Sequence, residues 1–326
     1  MAVKAKSRRE KMGSGLGLLL GILIFNLIAY QFVQTKALSE TNRVIGAIVS
    51  ALLCTRNPAV LGKLARQYRI PECFTDVDAL LGSRPDAVMI HAATAVHGKL
   101  AEQCLRAGIP TFVDKPLCDN AAEVEALANL AMAQDCPLFV GFNRRYLPAV
   151  SAARTDNQPL TELNWQKHRH ALPGLPRQFL FDDFIHVLDS LYFYGGLPTG
   201  DLHAVLRRSS QQPELLAGVS VAWQSGQTAV SGSMNRGAGI TEERVDAYGD
   251  NLSLHLENCT RGTIARDKTV QTLAPDDWQP VLAQRGFVAM LDHWYRQIEL
   301  GKADGALIES YLHGHRLAER LVALAD

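Results

Sequence analysis

Apolar residues in the first half of the chain fall into short runs separated by stretches with helical spacing. Residues 44–53, 87–91 (AVMIH), 111–113 (TFV) and 137–142 (PLFVGF) are such runs. Bounded by turn residues, they read as strands buried on both faces. Residues 58–68, 97–107 and 121–133 carry apolar side chains on a helical period, and Gly108 suits the end of the second helix. Residues 70–74 add a short strand, and residues 76–81 a short helix with Asp76 as its N-cap. The uncharged stretch 15–33 (GLGLLLGILIFNLIAYQFV) reads as the first strand and first helix, because the run at 44–53 needs such a unit before it. Strands alternating with helices over short connections predict a parallel, doubly wound sheet.

After about residue 150 the period changes. Residues 163–170 alternate weakly, and residues 179–194 are helical. Residues 203–210, 215–223, 228–235, 244–249 and 251–257 read as strands, with turns at Ser225-Gly226 and Gly249-Asp250-Asn251. Residues 287–299 and 306–325 read as two closing helices. The prediction is a nucleotide-binding type of domain over residues 1–145, then an α+β domain with a mostly antiparallel open sheet over residues 146–326.

Composition narrows the function. Hydrophobic residues make up 47% of the 326 and charged residues 20%, which suits a globular chain with a real core. Lys and Arg total 33, Asp and Glu 33, so the net charge is zero, and no basic block follows the first 12 residues. Nucleic acid is therefore not an expected partner. Cys54, Cys73, Cys104, Cys118, Cys136 and Cys259 form no CxxC pair, so they read as ordinary thiols in a reducing, cytoplasmic setting. Residues 15–33 have a second reading, as a signal peptide or membrane anchor behind the basic start at Ser7-Arg8-Arg9. Asn26, Gln31 and Gln34 dilute that run, and no A-x-A site follows it, so no membrane is expected.

The candidate chemistry centres on residues 110–120 (PTFVDKPLCDN), where a strand ends in Asp114, Lys115 and Pro116. Ligands of open parallel sheets bind at the carboxyl ends of strands. A lysine partly desolvated there can serve as an acid or base near neutral pH. Asp182 and His186 stand at i and i+4, so one helix face presents both. Arg144 and Arg145 are placed either to hold an anionic group or to pair with acids at the domain seam. Lys167, His168, Arg169 and His170 form a basic edge that could face the cleft. No carboxylate or cysteine completes a metal site around the two histidines, so none is expected.

Four stretches in order carry a resemblance: DAVMIHAATAVH (86–97), AGIPTFVDKPL (107–117), VGFNRRYLP (140–148) and DDFIHVLD (182–189). Together they resemble the Gfo/Idh/MocA family of NAD(P)-dependent oxidoreductases. The asparagine-arginine-arginine stretch and QRGFVAMLDHW look most like its MviM-type virulence-factor branch. The resemblance implies a Rossmann-like first domain and hydride transfer between a nicotinamide cofactor and a small molecule: a sugar, polyol or related hydroxy/keto compound. It makes Lys115 the general base or hydrogen-bond donor to the substrate oxygen, His186 the second acid/base candidate, and Asp182 its partner or a substrate hydrogen bonder. It places Thr94, His97, Asp114, Lys115 and Arg144 near the cofactor. Asp114 stands for the family's glutamate and Phe184 for its glycine. Pairing through the second domain's sheet implies a homo-oligomer.

The phosphate turn departs from its pattern. A dinucleotide fingerprint needs G-x-G-x-x-G after strand one. The register puts Gly21 first, with Leu23 and Asn26 in the next two glycine places. Strand two ends in Thr55-Arg56 with no acid, and an arginine there suits a 2′-phosphate, so NADP(H) is expected ahead of NAD(H). The altered turn also raises an alternative: a non-catalytic member acting as a sensor or interaction protein.

Overall fold

The computed structural model describes residues 52–153, 159–275 and 277–325. The expected first strand, first helix and Gly21, along with the anchor reading of residues 15–33, lie outside them. Among the described residues no helix is long and apolar enough to cross a membrane.

From residue 52 to residue 142 the described elements follow the predicted order. Strand β1 (Leu52–Cys54) pairs in parallel with β2 (Glu72–Phe74). Strands β3 (Val88–Ile90), β4 (Thr111–Val113) and β5 (Leu138–Val140) form a second parallel sheet in that order. β4 and β5 are buried along their whole length, which is why they read as unbroken apolar runs. Helix α1 (Pro58–Tyr68) starts where the Asn57 side chain accepts from the amides of Ala59 and Val60, with proline at its first position. Asp76 caps α2 (Val77–Gly82), and Asn120 caps α4 (Ala121–Ala133). Between them, α3 (His97–Arg106) ends before Gly108, whose φ of +69° a side chain would strain.

A short turn of 3₁₀ helix (Asn143–Tyr146) and helix α5 (Pro148–Ala153) lead into the second half. There β6 (Leu160–His168), β7 (His203–Arg208), β8 (Leu216–Ser225), β9 (Thr228–Asn235), β10 (Glu242–Gly249), β11 (Leu252–Glu257), β12 (Arg261–Arg266) and β13 (Thr269–Leu273) make one sheet. Its order is β13-β12-β11-β10-β6-β9-β8-β7, and only β6 and β9 run parallel. β12 and β13 were not in the sequence pattern. They close the sheet's edge with largely solvated side chains, so no apolar alternation marks them.

The helix expected over residues 179–194 is interrupted. Helix α6 (Pro176–Phe179) passes through a π-helical turn (Leu180–Phe184) into α7 (Ile185–Gly195). That turn holds Asp182 and Asp183 next to His186, and such turns often mark functional sites. α7 lies on β6 and β9 over a core that includes Trp165, Phe181 and Phe184, all fully buried. The chain closes with α8 (Val281–Gln284), α9 (Phe287–Leu300) and α10 (Gly305–Ala325). α10 packs on both α7 and α4, so it joins the two halves.

Candidate active site

Lys115 follows β4 directly, before a cis peptide bond to Pro116. Its amide donates to Asp114 Oδ1 at 2.8 Å, and its Nζ donates to the backbone carbonyl of Asp182 at 2.5 Å. Burial lowers the ammonium pKa, against the pull of Asp114, Asp183 and Asp182. Asp182 in turn accepts from the Thr94 hydroxyl at 3.1 Å, tying the loop after β3 to the π turn.

His186 Nδ1 lies 2.8 Å from Arg144 Nη1. A guanidinium only donates, so Nδ1 accepts and the ring proton sits on Nε2. Burial, reinforced by the charges of Arg144 and Lys167, pushes the His186 pKa well below its usual range. Glu243 on β10 grips Arg144 through two bonds, Nε to Oε1 at 2.6 Å and Nη2 to Oε2 at 2.7 Å. Trp165 Nε1 donates to the same carboxylate at 2.9 Å. Burial disfavours the Glu243 charge, but Arg144 overrides it and holds the carboxyl down to about 2.

Lys115, Arg144, His186 and Glu243 all line one cavity of about 380 Å³. His91, Asp114 and Gly141, the residues that follow β3, β4 and β5, line it too. The cavity therefore sits at the carboxyl ends of the parallel strands, where such sheets bind ligands. Lys167, His168 and Arg169 face it from β6.

Other candidates stand elsewhere. His97 is buried, with Nδ1 2.8 Å from the Pro116 carbonyl and Nε2 3.0 Å from that of Ala92. It braces the Lys-Pro corner and does not line the cavity. Thr55 and Arg56 follow β1, Arg56 exposed, and neither reaches the cavity wall. Arg145 pairs with Asp189 through bonds of 2.9 and 2.6 Å in the core, so of the two arginines only Arg144 faces the cavity. Phe184 points into the core and does not narrow it. His168, although on the cavity wall, has Nδ1 occupied by the Asn235 amide, and His170, outside the wall, sets Nδ1 on the Ala238 carbonyl.

Sequence reasoning did not find Glu243, Asp183 or Arg285. Glu243 lies 99 positions from Arg144, and nothing local signals the pair. Asp183 is visible only as the neighbour of Asp182. Arg285 sits in the QRGF stretch but carried no role there.

Residues 30–142 match the model of the Gfo/Idh/MocA oxidoreductase family, NAD-binding Rossmann fold. YceM of Salmonella typhimurium, an oxidoreductase by name, is 30% identical over 265 residues, 79% of this chain and 84% of that one. The chain belongs to the Gfo/Idh/MocA family. The crystal structure of a Gfo/Idh/MocA family oxidoreductase from Vibrio cholerae is 44% identical and superposes with a TM-score of 0.79, covering 86% of this chain and 91% of that one. Inositol 2-dehydrogenase 2 of Paenarthrobacter aurescens is 25% identical over 247 residues, 70% of this chain and 74% of that one.

The family implies a nicotinamide dinucleotide, and the described residues fit one. Three strand ends converge on the cavity beside Lys115, and the small residues Ala92 and Ala93 open the loop after β3. The expected phosphate turn at Gly21 lies outside the described residues.

Proposed function

We propose that this family member oxidises, or in reverse forms, a secondary alcohol on a sugar, polyol or related hydroxy/keto compound, with NADP(H) preferred over NAD(H). The observation that carries the reading is Lys115 Nζ on the Asp182 carbonyl inside the cavity, next to a neutral His186. Oxidising an alcohol needs a base for the hydroxyl proton as hydride leaves carbon. Lys115 in its amine form keeps a lone pair free while one N–H stays on the Asp182 carbonyl. Burial lowers its pKa and so favours that form more than in a solvated lysine. His186, with Nδ1 occupied by Arg144, offers Nε2–H to the substrate oxygen and orients it. Asp182 fixes Lys115 through its carbonyl and the loop after β3 through its carboxylate. A bound nicotinamide supplies the hydride acceptor. Arg56, exposed after β1, supports the 2′-phosphate preference.

Asp114 at the strand end and Thr94 in the loop after β3 suit contacts to the cofactor, while Arg144 and His97 act as supports. A homo-oligomer formed through the second sheet, a domain boundary near residue 145 and a cytoplasmic setting complete the reading. Phe184, which stands where the family has glycine, is buried away from the cavity and so does not favour the non-catalytic alternative.

The test is a titration of purified protein with NADPH and NADH by tryptophan quenching, followed by a polyol and sugar screen read by nicotinamide absorbance. Tighter NADPH binding and turnover on a hydroxyl substrate are expected. Failure of both cofactors to bind at millimolar concentration would overturn the reading.

A further inference from the structure

One wall of the cavity has no part in proton transfer. Lys167 and Arg169 stand two residues apart at the end of β6, and both converge on Asp183. Lys167 Nζ reaches Asp183 Oδ1 at 2.5 Å. Arg169 gives two bonds, Nε to Oδ2 at 2.9 Å and Nη2 to Oδ1 at 2.8 Å. Arg236 adds a third cation at 3.0 Å. Three cations thus meet one carboxylate, which balances only one of them.

The neighbouring acids are already committed. Glu243 is gripped by Arg144, and Glu242 pairs with Arg244. Asp182 and Asp114 accept only neutral donors, the Thr94 hydroxyl and the Lys115 amide, and their charges pull on Lys115. The excess shows in Lys167, whose ammonium is brought down to about 7 by burial and by Arg144 beside it. Uncompensated buried charge is costly unless something supplies the counter-charge. Arg169 is 33% exposed, lines the cavity, and has Nη1 free of any partner among the described residues. Arg285 lines the same cavity, is exposed, and makes no ion pair among the described residues.

We propose that the substrate carries an anionic oxygen group, a carboxylate or a phosphate, and that Lys167 and Arg169 receive it, with Arg285 at the mouth. The inference rests on the dehydrogenase reading for the rest of the substrate. A planar guanidinium with a free N–H edge suits either oxyanion, and charge-assisted bonds are about twice as strong as neutral ones. The cluster sits on β6 of the second sheet, whereas Thr55 and Arg56, the candidates for the cofactor's ribose end, follow β1. The anionic group therefore belongs to the substrate and not to the dinucleotide.

Calorimetry on the full chain tests this, with glucose, glucuronate and glucose 6-phosphate as probes, with and without saturating NADPH. The two charged sugars separate the carboxylate from the phosphate source. At least one charged sugar should bind about tenfold or more tighter than glucose. Arg169→Gln should remove most of that preference, about tenfold, and leave glucose unchanged. Circular dichroism checks the variant's fold. Should it not fold, Arg285→Gln, on an exposed side chain without an ion pair, should cost the charged sugar about threefold and glucose nothing. Equal affinity for all three sugars would overturn the proposal, as would a loss in Arg169→Gln confined to NADPH. Calorimetry reads binding without turnover, so the two readings fail separately. An inactive protein that prefers the charged sugars overturns the dehydrogenase reading alone. Turnover on neutral polyols without any charge preference overturns this inference alone.

Discussion

Arg144 decides what His186 can do. The arginine has no acceptor atom, so the 2.8 Å contact fixes Nδ1 as the bare nitrogen and leaves Nε2–H for the cavity. A ring held neutral by burial and surrounded by cations is a poor proton acceptor. In the proposed reaction the base is then Lys115, and the two residues predict different variants. Lys115→Ala should lower kcat roughly a hundred-fold to ten-thousand-fold with the circular dichroism spectrum unchanged. The rising limb of its kcat/KM–pH profile should vanish with the amine. His186→Gln keeps a side-chain N–H, so it should lose less than His186→Ala and retain the wild-type rising limb. If His186→Gln abolished that limb, the histidine and not the lysine would be the base. Sequence alone singled out both residues, from the motif order DKP and DDFIH, and both line the cavity. It could not assign their protonation, because Arg144 and Glu243 meet only in the folded chain.

At the scale of elements, the seam between the halves depends on a few buried contacts. Arg145 in the turn after β5 pairs with Asp189 on α7, and its guanidinium lies 5.0 Å from the Tyr311 ring and 5.2 Å from the Phe142 ring. Asp189→Asn leaves that cation buried without its counter-charge, which should cost about 3–5 kcal/mol in urea denaturation. A cost near zero would mean water or another acid takes over. Gly286 opens α9 with φ +79°, and a Cβ there would stand 2.5 Å from the Asn143 carbonyl. Gly286→Ala should therefore cost about 1–3 kcal/mol and push on the turn that carries Arg144, so kcat should fall along with stability. The elements that sequence pattern found are those whose burial is uniform: β4 and β5 on both faces, α4 along one stripe. β12 and β13 escaped because an exposed edge needs no apolar period. The π turn escaped because Leu180, Phe181 and Phe184 are equally compatible with a regular helix.

Across the whole molecule, α10 makes the Lys-Pro corner sensitive to acid. The Leu117 amide, two residues past Lys115, donates to His315 Nε2 at 3.1 Å, while His315 Nδ1 gives its proton to the Tyr311 carbonyl at 2.6 Å. The ring has both nitrogens in use as a neutral tautomer, and burial brings its pKa from 6.5 down to about 4. Between those values the unfolded chain binds a proton that the folded chain refuses, so stability rises with pH across that window and is lost as pH falls through it. Complete loss of the His315 contribution is worth about 3 kcal/mol. Glu243 acts in the same direction lower down: its folded pKa of about 2 against an ordinary 4.5 gives stability that is present above 4.5 and disappears on acidification towards 2. The urea midpoint should thus fall from pH 6.5 downward. His315→Gln, less stable near neutral pH, should show a shallower slope between pH 6.5 and about 4.5, by about one proton. Activity should fall lower, as pH approaches about 4, because only there does the folded His315 take up its proton, which displaces the Leu117 amide and loosens the corner that aims Lys115. Identical slopes in the two proteins would mean that the folded His315 takes up its proton as readily as the unfolded one, and that the coupling of α10 to the corner does not govern the acid limb.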